Sequence, residues 1–193
     1  MKLWFRSLVV LASLLAFANI ASAYTGGPVR VHVEGIDPKE QKVFYRLFDY
    51  DESGNGPQVW YFDLNSAHPT QPLRARSLEG DEKGFSPAWV NVYRRLQRLR
   101  GEEKFDLHFS VDAESVGVDS GWNTPIYDLR VHIESGPKVR DLRFQAHCDP
   151  LVRVQGIYRI PGRDEEIVVF SRIGRVYACE EVELPVLLPA KER

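Results

Sequence analysis

The chain is poor in the features that usually announce a function. Its 193 residues contain two cysteines, and 25 basic residues nearly balance 27 acidic ones for a formal charge of −2. That balance argues against nucleic-acid or anionic-membrane binding driven by net charge. After the first twenty residues no apolar run approaches the length of a membrane-spanning helix, so no transmembrane segment is expected in the mature chain. Asn123-Thr124-Pro125 is spoiled as a glycosylation sequon by its proline, and no other Asn beyond residue 23 fits one, which favours a bacterial periplasm over a eukaryotic secretory route. No nucleophile motif survives inspection. Gly84-Phe85-Ser86-Pro87-Ala88 lacks the final glycine of a nucleophile elbow, and Pro87 has no N–H to supply the oxyanion donor, so Ser86 reads as a helix cap.

The N-terminus carries an address. Lys2 and Arg6 precede an apolar stretch, Leu8–Ile20, and Ala21-Ser22-Ala23 offers small residues for cleavage. Residues 1–23 are therefore read as a secretory signal peptide and residues 24–193 as a single β-rich domain, exported to the periplasm or the extracellular space. The apolar stretch is about 13 residues where a bilayer needs about 20, and no cysteine lies at the cleavage site to take a lipid anchor. Removal of Lys2 and Arg6 takes the formal charge two units below that of the whole chain. About 170 residues remain, enough to bury a core unaided. In an oxidising compartment Cys148 and Cys179 are expected to form a disulfide. The competing reading is a thiolate nucleophile or metal ligand with His147 as its base, but neighbours on a strand point to opposite faces.

Strand signals dominate the chain. Val29, Val31 and Val33 alternate with Arg30, His32 and Glu34. The densest β signal is Val43–Leu64, two aromatic-rich runs around a polar turn, read as a long-looped hairpin. Val43, Tyr45 and Leu47 oppose Phe44 and Phe48 in face, as Trp60, Phe62 and Leu64 oppose Val59 and Tyr61, so both faces need cover. Taken alone, the hairpin, ending Val-Trp-Tyr-Phe-Asp-Leu, resembles one blade segment of a β-propeller over about 30 residues. At about 40 residues per blade and at least four blades, a chain of this length scarcely holds a propeller.

A short strand is expected at Leu73–Leu78. An amphipathic helix over residues 86–100 follows, capped by Ser86 and Pro87, with Trp89, Val92, Tyr93, Leu96 and Leu99 on its apolar stripe and Gly101 as its stop. That stripe is a candidate cover for the hairpin. Phe105–Val111 and Tyr127–Glu134 alternate as one-sided strands across a loop of Gly, Asp and Ser. Val139–Phe144, Leu151–Ile160, Glu166–Ser171, Arg175–Cys179 and Val182–Leu188 complete the chain, with a Pro161-Gly162 turn and with Pro185 marking an edge or a bulge. The expected fold is mainly β: an antiparallel sandwich or open barrel of about eight to ten strands with one packed helix.

Three groups of residues are candidate sites. Asp49, Asp51, Ser53 and Asn55, with Gly54 at the sixth position, match the start of a calcium loop, but Trp60 stands where the bidentate glutamate belongs. His32, His108 and His132 lie on polar strand faces and would suit a transition metal if their strands were neighbours; the charges beside them equally suit cross-strand pairing. Arg94, Arg95 and Arg98 form a basic helix face for an anionic partner: an acidic envelope protein, a lipid headgroup or a cell-wall polymer. No cofactor is expected, calcium being the one candidate. The leading reading is a soluble, non-enzymatic exported protein that binds or supports another envelope or extracellular component. The alternatives are an exported hydrolase using carboxylates or a histidine-bound metal, and a calcium-stabilised binding module.

Overall fold

The computed structural model describes residues 28–49, 56–80, 86–102, 107–136, 138–174 and 179–189. The expected signal peptide, the calcium-loop residues Asp51, Ser53 and Asn55, the first residues of the strand expected from Phe105, and most of the strand expected at Arg175–Cys179 lie outside them.

Alternating β-branched and aromatic residues build ten strands among the described residues. They are β1 (Val29–Asp37), β2 (Lys42–Asp49), β3 (Gln58–Asp63), β4 (Leu73–Arg74), β5 (His108–Asp119), β6 (Thr124–Ser135), β7 (Lys138–His147), β8 (Val152–Arg159), β9 (Glu166–Ile173) and β10 (Glu181–Leu188). A large sheet runs β4-β3-β2-β1-β10-β9-β8 and a small one β5-β6-β7. One pair departs from the antiparallel expectation: β1 and β10 meet in parallel, at Val29 opposite Val182. Pro185 therefore sits on a strand placed inside the sheet order, beyond that meeting point, in register with Val169 of β9.

The hairpin β2–β3 pairs Val43 with Phe62, Phe44 with Tyr61 and Tyr45 with Trp60, so its two faces divide as their alternation predicts. Val43, Tyr45, Phe62 and Leu64 pack with Ile167, Val169 and Leu187 from the far strands, and the large sheet curls around this cluster. Each such side chain contributes roughly 1.5–3 kcal/mol by leaving water. On the opposite face, Phe44 and Val59 are covered by Trp89 and Val92 of α1 (Pro87–Arg95) and by Leu96. Ser86 caps α1 by accepting from the Trp89 N–H at 3.1 Å.

The helix stops at Arg95 rather than at residue 100. Leu96 is extended, and Gln97 exchanges two 2.9 Å backbone hydrogen bonds with Ile36 of β1. Gly35 allows that approach: a Cβ there would stand 2.5 Å from the Gln97 carbonyl oxygen. Glu102 then donates to Ile157 at 2.8 Å, so the segment after the helix bridges β1 to β8 and carries Leu99 into the core. Pairing with the sheet outweighs helix propensity. Likewise the strand expected at Leu73–Leu78 is two residues of β4 and a 3₁₀ turn, Arg76–Leu78.

The small sheet lies on the β8–β9–β10 end of the large one. Leu129, Val131 and Ile133 of β6 pack on Val168, Phe170, Val186 and Leu188. Ties hold it at both ends. Lys138 pairs with Glu166 at 2.8 Å, and Ser135 donates to the same carboxylate at 2.9 Å. At the other end Cys148 and Cys179 are bridged, with their Cα atoms 5.7 Å apart, and both adopt left-handed backbone at φ 65° and 48°. Between them Arg140 of β7 donates to the Leu187 carbonyl of β10.

Candidate functional site

The sequence candidates separate in space. His32 lies in the large sheet, its ring 4.6 Å from Phe48, whereas His108 and His132 lie in the small one. β1 is not a neighbour of β5 or β6, so the three imidazoles do not share a face. Among the described residues, no group of three or more His, Cys, Asp or Glu side chains is placed to hold a metal. Of the calcium-loop residues, Asp49 alone is described, as the last residue of β2.

The expected three-arginine helix face does not form: Arg94 and Arg95 end α1, whereas Arg98 lies beyond it, after Gln97 has turned to pair with Ile36. Arg95 bonds Asp37 at 2.5 Å and Glu40 at 2.6 Å, clamping α1 to the β1–β2 turn. Asp37 is fully buried. Its burial pushes the carboxyl upward, but the Arg95 guanidinium and the N–H groups of Glu40 and Lys39 outweigh that and hold it below the usual carboxylate range. Arg98 stacks over the Tyr93 ring at 4.2 Å and donates to its hydroxyl. Arg94 is exposed.

The small sheet presents the most open chemistry. Its outward face carries cross-strand rows set by register: Ser110, His132 and Asp141; Asp112, Arg130 and Arg143; Glu114, Asp128 and Gln145. The last two rows line a shallow depression of about 530 Å³. Asp128 accepts from Gln145 at 2.9 Å. His132 sits between Asp141 at 2.7 Å and Glu134 at 3.1 Å; hydrogen bonds to these carboxylates, Asp141 foremost, raise its pKa. These groups form a mixed-charge surface suited to polar recognition.

Its first strand, β5, is exposed along nearly its whole length. The segment Ala113–Asp119, which the sequence presents as loop, continues the strand, with a bulge between Ser115 and Gly117. Phe109 reaches the core through an edge-on contact with Phe170 at 5.8 Å yet stays 38% exposed, and Val116 and Val118 stand 48% and 56% exposed. At the hairpin tip Asp119 accepts from the N–H groups of Gly121 and Trp122 at 3.0 Å each, a local lock that presents Trp122 at 60% exposure.

No family model, curated protein or solved structure matches the chain.

At the disulfide end of the small sheet, burial and the nearby Arg172 cation hold His147 below its ordinary range, and its Nδ1 is buried without a hydrogen-bond partner. Arg172 lies 5.4 Å over the Phe144 ring. Cys148, the neighbour of His147 and the thiol weighed as a nucleophile, is held in the disulfide. Periodicity in the sequence does not reveal β5 beyond Val111 or the Trp122 turn. The available signal was Val116 and Val118 beside Gly117, masked by the turn-forming residues around them.

Proposed function

We propose that the chain is an exported, non-enzymatic binding protein that engages another protein of the envelope or extracellular space through the β5–β6 side of its small sheet. The observation that carries this reading is that Phe109, Val116, Val118 and Trp122 all stand exposed on one strand and its turn. Large apolar side chains left exposed beside charged ones are candidates for contact, and tryptophan is enriched in binding hot spots. Export is supported by the basic, apolar and small-residue segments at the N-terminus and by the bridged cysteines.

Site-specific photo-crosslinkers placed at Val118 and, as a control, at Arg94 test the surface in intact cells. A discrete protein adduct from Val118 and none from Arg94 is the expected outcome. Adducts from Arg94 alone would move the interface to the helix face, and adducts from neither would reject the reading.

A further inference from the structure

We propose that β5 is a strand-addition edge, and that its occupant is an extended protein segment in which basic and apolar residues alternate. This inference rests on the binding reading above and specifies its mode. β5 stands at the end of the small sheet, and among the described residues no strand pairs with its outer edge. Protein edges are normally blunted by charged side chains, above all lysine, by proline, bulges or shortness, or by a covering element. β5 runs for twelve residues with neither lysine nor proline, and its bulge leaves His108–Ser115 as an uninterrupted pairing stretch of about 26 Å, at about 3.3 Å per residue.

The two faces of that stretch dictate what it accepts. Phe109, Val111 and Ala113 continue the apolar side of the small sheet, and Phe109 and Val111 pack at the margin of the core between the sheets. A partner strand would extend that side with apolar residues. On the other side Asp112 and Glu114 stand exposed at the rim, and among the described residues neither makes a hydrogen bond or an ion pair. Lysine or arginine on an added strand would face them directly, the favourable cross-strand arrangement. The same two carboxylates oppose a second copy of this chain: two β5 strands would bring four carboxylates together, with His108 as the strand's one basic side chain. Backbone hydrogen bonds supply affinity in this mode, and alternate side chains supply specificity.

Labelled, end-capped peptides titrated into the full mature chain test this. An eight-residue peptide alternating Lys and Val should bind at least tenfold more tightly than its Glu/Val counterpart. It should also outbind a block isomer with all lysines first. N-methylation of alternate backbone nitrogens should abolish binding if it falls on the paired edge, so both methylation phases are measured, and one should bind while the other does not. Asp112→Lys with Glu114→Lys should reverse the preference toward the Glu/Val peptide. Equal binding of the block isomer, or indifference to both methylation phases, would overturn strand addition in favour of charge alone. A dimer in sedimentation that dissociates in the lysine variant would overturn it in favour of a second copy. If the peptides fail while the Val118 crosslinks persist, the binding surface stands and the strand mode falls.

Discussion

The two sheets are made of similar alternating strands, yet they treat their side chains differently. The large sheet buries both faces: its curl encloses Tyr45, Phe62 and Val169, while α1 covers Phe44 and Val59 and the small sheet covers Val168 and Phe170. The small sheet buries one face, and its edge strand β5 buries almost none. Burial on both sides converts strand residues into stability, whereas a strand left uncovered contributes surface and an unpaired backbone edge. Under the proposed binding role, the first sheet is the scaffold and the second the contact region.

The sharpest way to break that comparison is to truncate one residue in each. Phe62→Ala should cost about 3–5 kcal/mol, while Val118→Ser should change stability by about 0.5 kcal/mol or less. Denaturant titration measures both, and a cost above about 2 kcal/mol for the β5 change would mean that the edge belongs to the core. Next in size is the bridge between the sheets. Replacing Cys148 and Cys179 by serine should remove about 3–4 kcal/mol, the chain-entropy cost for a loop of this length. Hydrogen exchange should then rise in β7 before it rises in β2; a uniform rise would show that the sheets unfold as one unit.

A smaller effect should come from the clamp on α1. Asp37→Asn removes a buried charge-assisted partner of Arg95 and should cost about 1–3 kcal/mol at neutral pH. Because Asp37 is held below the ordinary value of 3.8, its contribution is present above that value and is lost as pH falls through the depressed pKa. The gap between wild type and variant should therefore close toward acid, and a gap that stays constant with pH would show that packing, not charge, is at stake.

The smallest effect concerns His132 on the open sheet face. Its proton NMR titration should lie above the ordinary value of 6.5, and Asp141→Asn should lower it. The sign follows from linkage: a raised histidine pKa contributes stability below the ordinary value, and that contribution disappears as pH rises through the folded-state pKa. An unshifted titration would mean that the two carboxylates do not hold the ring in solution.

Much of the scaffold was legible in the residues. The hairpin's two apolar faces, the helix that covers one of them, the Ser86 cap and the cysteine pair all rest on local periodicity or on residue types with few alternatives. The Pro-Gly turn was equally plain: Gly162 takes φ 72°, which glycine adopts at no steric cost, and Arg163 closes the turn onto Ile160 at 3.1 Å. The candidate site was less legible. Residues Ala113–Asp119 lack an apolar stripe and, among the described residues, pair with β6 alone; a strand held by one neighbour leaves little trace in composition. The arginine face looked open because periodicity cannot reveal that Arg95 reaches Asp37, 58 residues away in sequence.

By itself the sequence determined a β-rich chain with one amphipathic helix, since a period of two and a period of 3.6 are properties of neighbours along the chain. Only the tertiary structure decided where the helix ends, because Gln97 leaves the helical path to pair with Ile36 over a glycine that has no Cβ in the way. It also decided that β1 meets β10 in parallel and that β5 stands at the edge of its sheet among the described residues. Strand order and edge exposure depend on which distant segments compete for the same backbone hydrogen bonds. That competition is settled between elements far apart in the chain, and no local pattern encodes it.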